Sequence, residues 1–193
     1  SSSTYESGYN PSTNLQEAKD YVDIDSYASN YKVFHNVAGV HNRVAAQSGV
    51  LVIKTPITMS AYMTQVDISG YNYYSTSETL FNISVGFYAY SGTSFINTRA
   101  KYSGINLEYI KLALDANNKV VILIKKIGNW ANPMIAVDQV KIGYSSVSDS
   151  MKDNWSIAFE TNVSAYTVNL PLVLDQSETV AGSTAKVQVV ANQ

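Results

Sequence analysis

The sequence predicts an all-β domain, an antiparallel β-sandwich or jelly-roll, carried behind a short helical and extended N-terminal stem. Three features predict it. From Gly49 onward apolar and polar residues alternate at period two, turn-forming residues interrupt the alternation at short intervals, and no helical stretch intervenes. Alternating α and β patterns, which would indicate a parallel α/β sheet, are missing.

The elements follow in order. Residues 1–13 are Ser-rich and read as a linker, without the charged-then-apolar order of a signal peptide. Asn14 with Glu17 three positions on has the spacing of a capping box, and Leu15, Ala18 and Val22 then form one apolar stripe of a helix. So short a helix is marginal alone and needs a surface of its own domain or of other copies to pack on. Residues 26–48 read as an extended connector with a short strand at 31–34. The run 50–54 is continuously apolar until Lys54, as in a strand buried on both faces. Tyr62, Thr64, Val66 and Ile68 share one face of the next strand. Phe81, Ile83, Val85, Phe87 and Ala89 then alternate with Asn82, Ser84, Gly86 and Tyr88. Asp115-Ala116-Asn117-Asn118 between two β-rich runs signals a hairpin, because Asn and Asp tolerate left-handed backbone. In the strand 134–142 the apolar parity slips between Val137 and Val140, which predicts a bulge near Asp138. Trp155, Ile157 and Phe159 mark a further strand, and 166–174 and 185–190 two more. The division expected is a linker and stem over 1–48, a sandwich over 49–175 and a C-terminal strand or tail over 176–193.

Composition narrows the function classes. Charged residues are only 15% of the 193, so polarity comes from Ser, Thr, Asn and 15 tyrosines. Tyrosine, with an apolar body and a polar tip, suits strands that are wet on one side. The net charge of −2 and the scattered basic residues exclude a nucleic-acid partner, which needs a clustered basic face. No cysteine is present, so there is no disulfide framework, thiolate metal site or Cys nucleophile. No apolar run approaches the roughly 20 residues of a spanning helix, and no membrane insertion is expected.

Catalytic and metal chemistry find little support. His35 and His41 on one strand face would stand about 20 Å apart, too far to share a metal ion. Asp23 and Asp25 lack the glycine and distant Glu of a calcium loop. Asp149 and Asp153 offer a carboxylate pair of the kind glycoside hydrolysis uses, but a polar loop between strands explains them more simply. No nucleophile elbow, phosphate loop or dinucleotide fingerprint occurs. The expectation is a non-enzyme without metal or cofactor.

The positive signal is aromatic. Tyr71, Tyr73 and Tyr74 crowd a turn beside Asn72, Tyr88 and Tyr90 precede Ser91-Gly92, and Trp130 stands between Asn129 and Asn132. Rings flanked by amides suit carbohydrate, whose CH groups stack on the ring while its hydroxyls pair with the amides. Packing at the rim of a sandwich is the plainer account of the same rings.

Five segments in order, GVLVIKTPITM, ISGYNYYS, GFYAYSGTSFINT, LALDANNKVVILI and NWANPMIAVDQVKIGYSSVSDSMKDNWSIAF, resemble phage tail-fibre and tail-tip proteins over roughly residues 49–161. The chain departs from that group in carrying Asn117-Asn118 where a Gly-containing turn is expected, and in lacking the H-x-H metal motif of needle-like tips. The resemblance implies a distal β-domain on a fibrous stem, association as a homotrimer, and a tip that grips a bacterial cell-surface glycan or outer-surface protein from the virion tail. It supplies no catalytic residue. The candidate contacts are Tyr71, Asn72, Tyr73, Tyr74, Tyr90, Asn97, Arg99, Tyr102 and Trp130. The alternatives are a fibre-shaft or assembly module without ligand, and a surface-polysaccharide depolymerase using Asp149 or Asp153.

Overall fold

Strands with one apolar face must bury it against another apolar layer, and this chain supplies two sheets that do so. The computed structural model describes residues 24–28, 30–73 and 79–177. One sheet has seven strands in the order β1 (Ile24–Ala28), β2 (Tyr31–His41), β9 (Met134–Gly143), β4 (Ser60–Tyr71), β5 (Leu80–Ser91), β6 (Ser94–Ser103) and β12 (Leu174–Gln176). The other has five, in the order β10 (Ser156–Glu160), β3 (Val50–Thr58), β8 (Lys119–Lys126), β7 (Leu107–Leu114) and β11 (Thr167–Pro171). Neighbours pair antiparallel except β6 and β12, which run parallel. A single 3-10 turn, Asp149–Lys152, is the helical structure among the described residues. The helix expected from Asn14, and the strand expected at 185–190, lie outside them.

The core forms where the inner faces meet. Phe81, Ile83, Val85, Phe87 and Ala89 all point inward, as their alternation predicts, and meet Leu51, Ile53, Ile110, Leu112, Ile122 and Ile124 of the five-stranded sheet. Val66 and Ile68 join them, with Thr64 buried on the same side. The continuous run 50–54 behaves as a strand covered on both faces. Leu51 and Ile53 face the core, while Val50 and Val52 sit with Val121, Leu123 and Tyr166 in a second apolar layer on the far side.

Turn chemistry fixes the registers. Asp115 Oδ1 accepts from the amides of Asn117 (2.8 Å) and Lys119 (2.9 Å), while Asn118 takes the left-handed conformation at φ 56°. The Asp/Asn hairpin therefore joins β7 to β8 without glycine. The bulge near Asp138 is present against both neighbours of β9: Asp67 pairs with Gln139 and Ile68 with Val137, so Asp138 is skipped.

β6 forms over Ser94–Ser103, where no strand was expected, and two further stretches differ from expectation. Residues 31–41 form one strand inside the seven-stranded sheet instead of a short strand in a connector, so sheet structure starts well before residue 49. The register of β2 shifts between His35 and Ala38, with Asn36 at φ 53°, and this shift erases the period-two signal that would have revealed the strand. The single strand expected at 166–174 is divided between β11 and β12, which belong to different sheets, with Leu172 buried at the crossing.

Candidate functional site

The outer face of the seven-stranded sheet carries what the inner face excludes. Cross-strand pairing sets its rows. Tyr31, Gly143, Met63 and Tyr88 lie side by side in one row, and Lys141, Gln65, Gly86 and Arg99 in the next. Together with Lys101, Asn97 and Tyr144 these positions surround an open basin of about 800 Å³.

Two glycines shape the floor. A Cβ on Gly143 would meet Tyr31 Cδ2 at 3.2 Å and the Asn30 carbonyl oxygen at 3.3 Å, so glycine there lets the Tyr31 ring lie close against β9. Gly86 is different. Its φ is outside the left-handed region, and a Cβ would meet only the Arg99 carbonyl oxygen at 3.8 Å, an ordinary contact. Nothing in the backbone requires glycine at this point, although glycine within a strand costs roughly 0.5–1 kcal/mol relative to alanine. What it provides is depth in the middle of the basin.

The rim is aromatic. Tyr88 is mostly buried and packs edge-on against Tyr144, with ring centroids 5.4 Å apart, and tilted against Tyr90 at 5.6 Å. Burial first, and then the neighbouring Tyr144 and Tyr90, push the Tyr88 hydroxyl above the ordinary phenol range, so Tyr88 stays uncharged at neutral pH. Tyr144 is 71% exposed and sits one residue past β9 at φ 80°, a conformation rare for a bulky side chain. Its amide donates to the Asn30 carbonyl oxygen at 3.1 Å, which holds that strained backbone in place. A second irregularity lies on the opposite rim. Gly86 pairs with Arg99 and Tyr88 with Ile96, so β6 bulges around Asn97, which is left-handed at φ 52°.

The charges are unevenly committed. Arg99 Nε forms an ion pair with Asp175 on β12. Asp67 lies on the same face outside the basin lining, where it accepts from Gln65 Nε2 (3.0 Å) and Ser84 Oγ (2.6 Å). Lys101 and Lys141 both line the basin, and their side chains have no hydrogen-bond or ion-pair partner among the described residues.

The residues singled out from sequence separate into distinct places. Arg99 and Asn97 line the basin, while Tyr90 lies outside the lining and packs on Tyr88. Tyr71 and the 77%-exposed Tyr73 stand at the far end of the sheet beside Met134 and Leu80, about 26 Å along β4 from Met63. Tyr102 pairs with the core residue Ile83 and packs inward, so it is not on the outer face. Trp130 and Asn72 correct the aromatic-and-amide reading, because both are fully buried. Trp130 is wedged edge-on between Phe81 (5.8 Å) and Phe159 (5.6 Å), and Asn72 Oδ1 accepts from the Ala131 amide at 2.7 Å, so both fasten loops to the core. Tyr74 lies outside the described residues. Asp149 pairs with Lys32, and Asp153 closes the 3-10 turn through its amide to Ser150 O.

Sequence reasoning passed over Tyr31, Tyr144, Lys101, Lys141 and Gly86 as contacts. The signal for Gly86 was present, since it alternates with Phe87 and must face away from the core. Tyr144 gave none, because its exposure depends on a left-handed residue at a strand end.

No known protein family matches the sequence, and no curated protein matches it. Among solved structures, the tailspike protein of Acinetobacter phage vB_ApiP_P1 is a distant neighbour at 13% identity and a TM-score of 0.25. The alignment covers 82% of this chain and 26% of that one, so the chain spans about a quarter of the tailspike's length.

Proposed function

We propose that this chain is an adhesion domain of a phage or phage-like tail fibre, which binds a bacterial surface glycan on the outer face of its seven-stranded sheet. The observation that carries the binding role is Gly86, a glycine that the backbone does not need, at the floor of a basin edged by Tyr31 and by Tyr144, whose ring packs on Tyr88. An open, shallow, aromatic-edged surface suits a ligand with flat CH faces and many hydroxyls. The placement in a tail fibre is supported by the ordered segments over 49–161 that resemble such proteins. Association as a homotrimer belongs to the same proposal. Three copies per fibre multiply modest contacts into avidity, which removes the need for one deep site. The role is binding without turnover.

The test is attachment of the purified chain to bacterial cells and to their isolated lipopolysaccharide and capsule. The expected result is binding to at least one surface, weakened roughly tenfold by Tyr144→Ala, the equivalent of about 1.4 kcal/mol, with unchanged melting temperature. Failure to bind any bacterial surface overturns the adhesion role. Release of reducing ends from capsule, lost in Asp149→Asn or Asp153→Asn, overturns binding without turnover. Light scattering that returns the mass of one chain overturns the trimer.

A further inference from the structure

We infer that the basin selects an anionic saccharide, its acid group a carboxylate or a phosphate, an assignment that deepens the glycan-binding role proposed above and rests on it. Three cations line the basin, Arg99, Lys101 and Lys141, and no acidic side chain does. Arg99 is already neutralised by Asp175, and Asp67 lies outside the lining, held by Gln65 and Ser84. The two lysines are left without a counter-charge among the described residues.

Their placement suits one extended ligand. Lys141 on β9 and Lys101 on β6 are separated by β4 and β5, about 14 Å of sheet, with Gly86 between them. Lys141 stands in the row of Gly86, and Lys101 two residues along β6 from that row. Both lysines line the basin on either side of the gap that Gly86 leaves open, so an acid group above the floor lies between two positive charges. Tyr144, at the same basin, supplies an exposed ring for an adjoining sugar face. Lysine ammoniums are point charges without the planar fork of arginine, so they attract carboxylate and phosphate alike. Arg99 is a third contact held in reserve, because a ligand acid group competes with Asp175 for it.

The experiment measures binding of the intact chain to three defined probes: alginate oligosaccharides carrying carboxylates, phosphomannan oligosaccharides carrying phosphates, and neutral dextran. Expected is at least a tenfold preference for one or both acidic probes over dextran in roughly 0.01 M salt, fading toward 1 M as the screening length contracts. Which acidic probe binds identifies the acid group. The double variant Lys101→Gln/Lys141→Gln loses that preference while keeping its melting temperature, and Asp175→Asn, by releasing Arg99, increases binding of the acidic probe several-fold. Equal binding of dextran and the acidic probes, or a preference that survives in the double variant, overturns the inference and leaves the glycan-binding role standing. Failure of every probe and of every bacterial surface preparation overturns both.

Discussion

The two outer faces of this sandwich are built from the same alternation and finished in opposite ways. On the five-stranded sheet, Val50, Val52, Ala113, Val121 and Leu123 point outward and are roofed by Tyr166, with Val163 and Tyr109 packed alongside. The roof is pinned by polar contacts: the Tyr166 hydroxyl donates to the Glu160 carboxylate at 2.8 and 2.9 Å, and Lys54 Nζ lies 3.5 Å from Glu160 Oε1 and 5.7 Å from the Tyr166 ring centroid. On the seven-stranded sheet the residues around the basin are mostly polar, cationic, aromatic or glycine, with Met63 among them, and no segment among the described residues roofs the basin. One face completes the fold, and the other stays open, the face on which the proposed binding role rests.

Substitutions that separate stability from binding sharpen this contrast. The largest effect is expected on the roofed face: Leu123→Ala removes a fully buried side chain and should cost about 2–5 kcal/mol in denaturant unfolding. A cost below that range would mean that the second apolar layer is loosely packed. Next comes the roof itself. Tyr166→Phe removes the hydrogen bonds to Glu160 and should cost about 1 kcal/mol.

The same substitution should flatten the alkaline limb of the stability profile. Burial first, and then Glu160, raise the Tyr166 hydroxyl above its ordinary value of 10.0, so the unfolded chain releases this proton at lower pH than the folded one. Its contribution is complete below that value and is lost as pH rises through the folded pKa. Lys54 acts in the same direction. Its hydrogen bond to Tyr166 outweighs burial and raises its pKa, so the contribution it makes below the ordinary lysine value is also lost at higher pH. Unfolding measured from neutral pH to above pH 10 should fall more steeply for the parent chain than for Tyr166→Phe. The smallest effect is on the open face, where Met63→Ala, 38% exposed, should change stability by no more than about 0.5 kcal/mol.

Much of the fold was legible in the residues. The inward set of β5, the doubly buried run 50–54, the Asp115 turn and the bulge at Asp138 each left a local pattern, because each is governed by side-chain parity or turn chemistry within a few residues. The β2 strand was not legible, since its register shift at Asn36 breaks that parity. The site was less legible than the fold. Trp130 beside asparagines has the local look of a sugar platform, but its burial is decided by Phe81 and Phe159, remote in sequence. The basin brings together β2, β9, β4, β5 and β6, and no local pattern announces which outward residues become neighbours across five strands. Tyr90 and Asn97 were picked out within the segment GFYAYSGTSFINT and Arg99 just beyond it, although no strand was read over 94–103; Lys141 and Tyr144 were missed because their significance lies in what stands opposite.

The most direct measurement is to fill the basin. Gly86→Leu places a side chain at its floor where the backbone has room for a Cβ, so stability should change by no more than about 1 kcal/mol. Binding to whichever bacterial surface preparation the parent chain recognises should then fall at least tenfold while the chain remains folded. A folded Gly86→Leu chain that attaches with parental affinity would show that the open face is not where the partner sits.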